Sequence, residues 1–257
     1  MEFTPEPIEG RIFSNEHPNL LADCDPLGRL RLDGLARILA DAATLDNESS
    51  PTADKGLWIL RRLILSLETW PQYLEHLTVR TWCSGIGRAW AERRSDLHHG
   101  GQHIGRAKAL WVNVAPETGF PRSLPNGFLE VFGPSAAGRT IKPRFELTVP
   151  VEEPIATGTL PLRYSDLDIV DHVNNAVHLA LVEELLAPAE RGTVSQTVPY
   201  RSVTIEFHDA LQTPGHVDYS LWRDDTSITI CLAQLGRTSS VIRLGVTDTA
   251  SRTTTQA

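Results

Sequence analysis

The chain has 257 residues and a formal net charge of −8, with 41% hydrophobic and 22% charged residues. That is globular composition, enough for one large domain or two small ones, and it excludes a collagen, a coiled coil or a wholly disordered chain. The acidic balance argues against a general nucleic-acid binder, and no apolar run reaches the roughly 18–20 residues of a membrane span. The start, MEFTPEPIEG, lacks the apolar stretch of a secretory signal. Cys24, Cys83 and Cys231 form neither a CxxC pair nor a disulfide framework, so no zinc site is expected and a reducing, cytoplasmic setting is. Five of the six tryptophans (Trp58, Trp70, Trp82, Trp90 and Trp111, with Trp222 the exception) fall in the first half, which points to an apolar pocket or interface there.

In chain order, an acidic turn, LADCDPLGRL, leads into a helix marked by Leu32, Leu35, Leu39 and Ala42 at helical intervals. Strands follow at LILSLET, HLTVRTW, AWAERRSDL and IGRAKALWVNV, with HHGGQH as a hairpin turn. From Pro116 to Pro161 the prolines are dense, which reads as a linker between halves. A second acidic turn, YSDLDIVDHVNN, opens a helix marked by Val173, Val177, Ala180 and Leu181. That helix is apolar most of the way round, as for a helix wrapped by a sheet. SVTIEF, HVDYSLW, SITICLAQL and SSVIRLGVT are strands, GRTSS is a turn, and the tail TDTASRTTTQA is expected to be disordered.

The two halves repeat. Asp23 and Asp25 fall on Asp166 and Asp168 at an offset of 143, and the strand runs ending at Trp82 and Trp222 match at an offset of 140. Helix followed by an antiparallel meander, twice, is an α+β architecture. The division expected is 8–132, a linker over 133–157, and 158–248.

Chemistry concentrates in the second turn. Asp168, His172, Asn174 and Asn175 gather at a helix N-terminus, where unpaired backbone N–H groups attract negative charge. An oxyanion site with acids and an imidazole at hand fits this pattern. Helix capping by Asp171 or Asn174 fits it equally well. Glu184 lies eleven residues after Val173 on one helical stripe, which would bury it and raise its pKa. Its alternative is an ion pair with an arginine of the other half. At the 143 offset, His172, Asn174 and Asn175 become Arg29, Arg31 and Leu32, so the chemical site belongs to the second half. His98, His99 and His103 read as an exposed hairpin. Arg88, Arg93, Arg94, Arg106 and Lys108 read as a solvated face or a dock for an acidic carrier protein or a phosphate. A phosphate-binding glycine loop and a G-x-S-x-G elbow are both missing.

DLDIVDHVNNAVHLALVEE resembles the D-L-D-x-N-x-H-V-N-N helix start of acyl-acyl-carrier-protein thioesterases, and LWILRRLILSLETWPQYLEHLTVRTWCSGIGRAWAERRSDL resembles their first half. The resemblance spans about Ile12 to Val246. It implies a tandem, or double, hotdog: each half an antiparallel sheet wrapped around a long central helix, the first half holding the acyl chain. It implies hydrolysis of a long-chain fatty acyl thioester on acyl carrier protein, through its acyl-phosphopantetheine, with no cofactor or metal; a homodimer stays open. Asp168 and His172 match the family's motif aspartate and catalytic histidine, and Asn174 and Asn175 its paired asparagines. The sequence departs in two places: Val170 stands where the family has a carbonyl-contacting asparagine, and Ala210 where it has an acid that activates water. With Trp58 and Glu184, these positions are expected to line the substrate site. The alternative the departures raise is an acyl-carrier or acyl-CoA binding protein that hydrolyses nothing.

Overall fold

A computed structural model describes residues 3–187 and 200–246. The expected disordered tail, from Thr247 on, lies outside them. Among the described residues ten strands form one continuous antiparallel sheet. In chain order these are β1 (Phe13–Pro18), β2 (Leu57–Leu67), β3 (His76–Ile86), β4 (Trp90–His99), β5 (Gln102–Val114), β6 (Ala156–Leu162), β7 (Tyr200–Phe207), β8 (Gly215–Arg223), β9 (Ser227–Gln234) and β10 (Arg237–Val246). Across the sheet the order is β1-β3-β4-β5-β2-β7-β10-β9-β8-β6. Helices α1 (Leu32–Glu48) and α3 (Asn175–Leu186) lie side by side on its concave face, and α2 (Phe128–Ala136) packs on β3. The tandem hotdog expected from sequence is present, with the two sheets joined edge to edge into one.

The joint explains the double register of the repeat. On β2 and β7, Arg62 faces Glu206, Ile64 faces Thr204 and Ser66 faces Ser202. Ile64 and Thr204 are 140 residues apart, so the twofold axis relating the halves passes between them. Leu32 at the start of α1 lies 32 residues before Ile64 and Asn175 at the start of α3 lies 29 before Thr204, which is the three-residue difference between the helix and strand offsets.

One core runs through both halves. Leu32, Leu35 and Leu39 from α1, Leu179 and Val182 from α3, and the inward residues of β2, β5, β7, β9 and β10 all belong to it. Alternation on β2 and β7 sends Leu63, Leu65, Val203 and Ile205 into this core and leaves Arg62 and Glu206 on the convex face.

Four elements differ from expectation. The second hairpin turns at Leu235 and Gly236, both at positive φ, and Arg237 already belongs to β10, so most of GRTSS is strand. The turn HHGGQH holds as expected, with Gly100 and Gly101 at φ 56° and 80°. Before each helix the sequence suggests a short strand ending in the alternating acids; the strands there, β1 and β6, already end at Pro18 and Leu162, and Leu21–Asp23 and Tyr164–Asp166 are single helical turns. Helix α2 was not anticipated, and the 132/133 division falls inside it. After α2, residues 137–155 form a strap without helix or strand. Over Arg144–Leu147 the strap is tied to the convex face of the joint through Arg62 and Glu206.

Candidate functional site

The Asp168 turn is built by its own hydrogen bonds. The Asp168 N–H donates to the His172 carbonyl (2.9 Å), the Asp171 N–H to the Asp168 carbonyl (3.1 Å), and the Asn174 N–H to the Asp166 carbonyl (2.9 Å). Carboxylate oxygen Oδ1 of Asp168 accepts the Val170 N–H (3.0 Å) and the His172 N–H (3.4 Å). Asp171 sits at φ 60°, a left-handed position that aspartate tolerates. The first half repeats this pattern at an offset of 143: Asp25 N–H to Arg29 carbonyl, Gly28 N–H to Asp25 carbonyl, Arg31 N–H to Asp23 carbonyl, and Asp25 Oδ1 accepting from Leu27 and Arg29.

Of the two roles weighed for these residues, capping is present, and the polar groups the other would use are left open. Asn174 is the N-cap of α3, its Oδ1 accepting the Ala176 N–H at 2.9 Å. Asp168 uses Oδ1 to hold the turn, while Oδ2 has no partner among the described residues. His172 is exposed and its ring has no partner among the described residues; Asn175, half-buried, opens the helix with its N–H and amide likewise unpaired. Val170 is exposed at the tip of the turn. β7 ends beside the same end of α3, where the His178 ring lies 5.2 Å from Phe207. Ala210 follows on that segment, exposed, and the neighbouring Asp209 pairs with Arg237 at 2.9 Å.

Two substrate-lining expectations are corrected. Glu184 is exposed; the acid turned inward is Glu183. Val173 precedes α3, in an isolated bridge with Leu167, so a stripe counted from it runs one residue out of phase. Counted from Ala176 and Leu179, the buried stripe reaches Glu183. Trp58 packs 5.4 Å from Phe128 in the separate α2 cluster and bonds the Lys55 carbonyl. Trp90 and Trp222 bond strap carbonyls at Ile141 and Glu152, and Trp82 lies with the Arg94 guanidinium 5.6 Å from its ring. Only Trp70 and Trp111 pack against the core shared by α1 and α3.

Glu183 crosses to the other half. Its Oε1 accepts the Leu32 N–H at 2.8 Å, so it occupies the N-terminus of α1. Burial pushes its carboxyl up to about 7, with the neighbouring Asp33 charge adding to the rise. Burial opposes the Asp33 charge too, but bonds from Arg31 and Arg37 hold that carboxyl below the usual range. Oε2 of Glu183 is buried without an acceptor or donor when ionised; protonated, it can donate to Asp33. Under the 143 offset Leu32 corresponds to Asn175 and Glu183 to Ala40. The twofold therefore sets Ala40 opposite the Asn175 N–H, and among the described residues no carboxylate accepts that N–H.

This gives a pH prediction. Because the native state holds the Glu183 proton above the ordinary glutamate range, stability falls as pH rises from about 4.5 through about 7. Glu183→Gln cannot ionise, so it should gain on wild type above that range by on the order of 1–3 kcal/mol and match it at lower pH. Thermal melts of both proteins from about pH 5 to pH 8 check this; a difference that does not change with pH would remove the proton from Glu183.

Beside Ala40, a slot between α1 and the sheet is lined by Ala36, Leu39, Leu60, Leu63, Arg93, Ser95, Ala107, Ala109 and Trp111. Its volume is about 20 Å³, room for one water-sized body. Among the basic residues read as a solvated face, Arg93 reaches Asp46 at 2.6 Å, Arg94 pairs with Asp96 at 2.8 Å and Lys108 approaches Glu92 at 3.7 Å. Those three are internal partners; Arg88 and Arg106 are exposed.

Two helix-centred sheets fused through β2 and β7, with an acid–imidazole–asparagine turn at one helix start, define a double-hotdog thioesterase scaffold. Residues 10–132 match the acyl-ACP thioesterase N-terminal domain and residues 152–250 its C-terminal domain. The chain belongs to the acyl-acyl-carrier-protein thioesterase family. It is 26% identical over 198 residues to an uncharacterised Mycobacterium tuberculosis protein, covering 77% of each chain. It is 26% identical over 176 residues to an Arabidopsis thaliana chloroplastic oleoyl-acyl carrier protein thioesterase, covering 63% of this chain and 46% of that one. In structure it is similar to an acyl-ACP thioesterase from Bacteroides thetaiotaomicron, with a TM-score of 0.74, 20% identity, and coverage of 92% and 98%. A 12:0-ACP thioesterase from Umbellularia californica gives a TM-score of 0.75, 16% identity, and coverage of 92% and 97%.

Proposed function

We propose that the protein hydrolyses fatty acyl thioesters carried on acyl carrier protein, at the Asp168 turn of the second half. The observation that carries this reading is the asymmetry of the two helix starts. At α1, Glu183 fills the N-terminus and Arg29 stands in the histidine position, bonding Asp25. At α3, the helix N–H of Asn175 is open beside His172 and the free oxygen of Asp168. Water attacks the thioester carbonyl, Asp168 takes its proton through Oδ2 with His172 orienting it, and the tetrahedral oxyanion is held by the Asn175 N–H. The Asn174 amide nitrogen remains a donor while its oxygen caps the helix. The carbon–sulfur bond then breaks, and the thiolate of the carrier arm leaves with a proton. The acyl chain lies in the first half, in the slot that opens beside Ala40. As it stands the slot has room for one water-sized body, so an acyl chain of any length enters only as Trp111 gives way.

Val170 tests the reading. Where an asparagine would add a donor to the carbonyl, valine offers none, and a missing donor costs roughly a hundred- to a thousandfold. Wild type should be a slow hydrolase, and Val170→Asn should raise single-turnover hydrolysis of a saturating acyl-carrier substrate by about tenfold or more. The gain should fall in turnover rather than affinity, because the bond strengthens as charge develops. Micromolar binding with no hydrolysis by either protein would make this an acyl-carrier binding protein instead.

A further inference from the structure

The slot exists because the two halves differ at five paired positions. Strand pairing places Ala107 and Ala109 where β10 carries Ile242 and Leu244, and Ser95 where β9 carries Ile230. On the helices, Ala36 corresponds to Leu179 and Ala40 to Glu183 at the 143 offset. In the second half these side chains fill the space: Leu179, Ile230, Ile242 and Leu244 are all fully buried. In the first half the same volume is left to alanine and serine, and Trp111 closes it. Among the described residues the buried Trp111 indole N–H has no partner whose hydrogen bond would oppose its swing.

The far wall of the slot is charged. Arg93 corresponds to Ile228 in the other half. Its Nη1 bonds Asp46 Oδ2 at 2.6 Å, and Arg11 Nε bonds the other oxygen at 2.6 Å. Asp46 is fully buried. Beside it Ser95 Oγ donates to Thr81 Oγ1 at 2.9 Å. An apolar chain terminus that pushed Arg93 aside would break its 2.6 Å pair with the buried Asp46, leaving that carboxylate with Arg11 alone and the Arg93 guanidinium without its partner against apolar chain, so this wall does not yield as Trp111 does.

We infer that Arg93, fixed by Asp46, ends the acyl slot and makes this a medium-chain enzyme. The inference rests on the reading that the α3 turn acts on acyl thioesters. From β2 at the joint to β4 is two strand spacings, roughly 10 Å, and an extended chain gains about 1.2 Å per bond, which allows about eight to ten carbons.

The experiment runs acyl-carrier substrates of four to sixteen carbons, and their non-hydrolysable thioether analogues, against wild type, Ala109→Leu, and the double variant Arg93→Leu with Asp46→Leu. Wild-type turnover and binding peak at about eight to ten carbons and drop at least tenfold by sixteen. Ala109→Leu, which restores the bulk present at Leu244, lowers the eight-carbon substrate about tenfold and leaves the four-carbon one within a few-fold. The double variant raises the sixteen-to-eight ratio about tenfold; if it does not fold, Ala109→Leu carries the test. A wild-type peak at sixteen carbons, or a profile that Ala109→Leu leaves in place, overturns the inference while hydrolysis itself stands. A length ceiling in analogue binding that shifts with these variants, without hydrolysis, upholds the charged wall and removes the enzyme reading.

Discussion

Asp168→Asn and His172→Ala are each expected to lower thioester hydrolysis by about a hundredfold or more, the scale of losing a positioned acid–base group, with melting within a few degrees of wild type. The structure separates chemistry from folding at both positions. Asparagine keeps an Oδ1 to accept the Val170 and His172 N–H groups, so the turn retains its bonds and loses only the basic oxygen. His172 is exposed with no ring partner among the described residues, so its truncation removes no packing. Single-turnover rates and thermal melts on the same preparations give both numbers. Near wild-type turnover in both variants would move the site away from this turn.

Periodicity made most of the fold legible. The inward leucines of β2 and the stripe on α1 are regular, and HHGGQH supplies the two left-handed residues its hairpin needs. The repeat was legible in both registers because the turn at Asp25 and Asp168 is fixed by hydrogen bonds that demand the same spacing. The edge strands hid because their apolar signal is thin: β1 reads FSNEHP with no apolar face, and β6 reads ATGTLPL with only Leu160 and Leu162 turned to the core. Helix α2 hid because it starts after Gly127 with no side-chain cap and contains Pro134, and its prolines read as linker.

The site was legible as a motif and illegible as a cavity. Asp168, His172, Asn174 and Asn175 are contiguous, so sequence alone gathers them. The slot arises from what is missing at Ala36, Ala40, Ser95, Ala107 and Ala109, and small residues carry no signal until strand register pairs them with larger partners. Glu183 was overlooked beside Glu184 because choosing between adjacent acids requires the true start of the helix. Trp58 followed composition into the wrong cluster, since tryptophan marks burial without saying against which face.

The largest stability loss should come from Glu206, far from the chemistry. This carboxylate is wholly buried at the joint. It accepts the Glu146 N–H at 2.8 and 3.0 Å and the Leu147 N–H at 2.9 Å, with Arg62 at 3.3 Å. Arg62 also bonds the Arg144 carbonyl and reaches Glu146 at 2.6 Å. Glu206→Ala leaves two strap N–H groups without their acceptor and one guanidinium without its buried counter-charge. Breaking a buried pair from one side costs about 3–5 kcal/mol, which for a chain of this size is roughly 10 °C in Tm. Glu206→Gln keeps one acceptor oxygen and should cost about half as much. Because the strap crosses the convex face and the Asp168 turn opens α3 on the concave one, activity per folded molecule should not change. Freed from the joint, the strap should become a tryptic site after Arg144 before the rest of the chain is cut. Equal tryptic half-lives for wild type and Glu206→Ala, or a Tm within a degree or two, would mean that the strap is held by something other than this carboxylate.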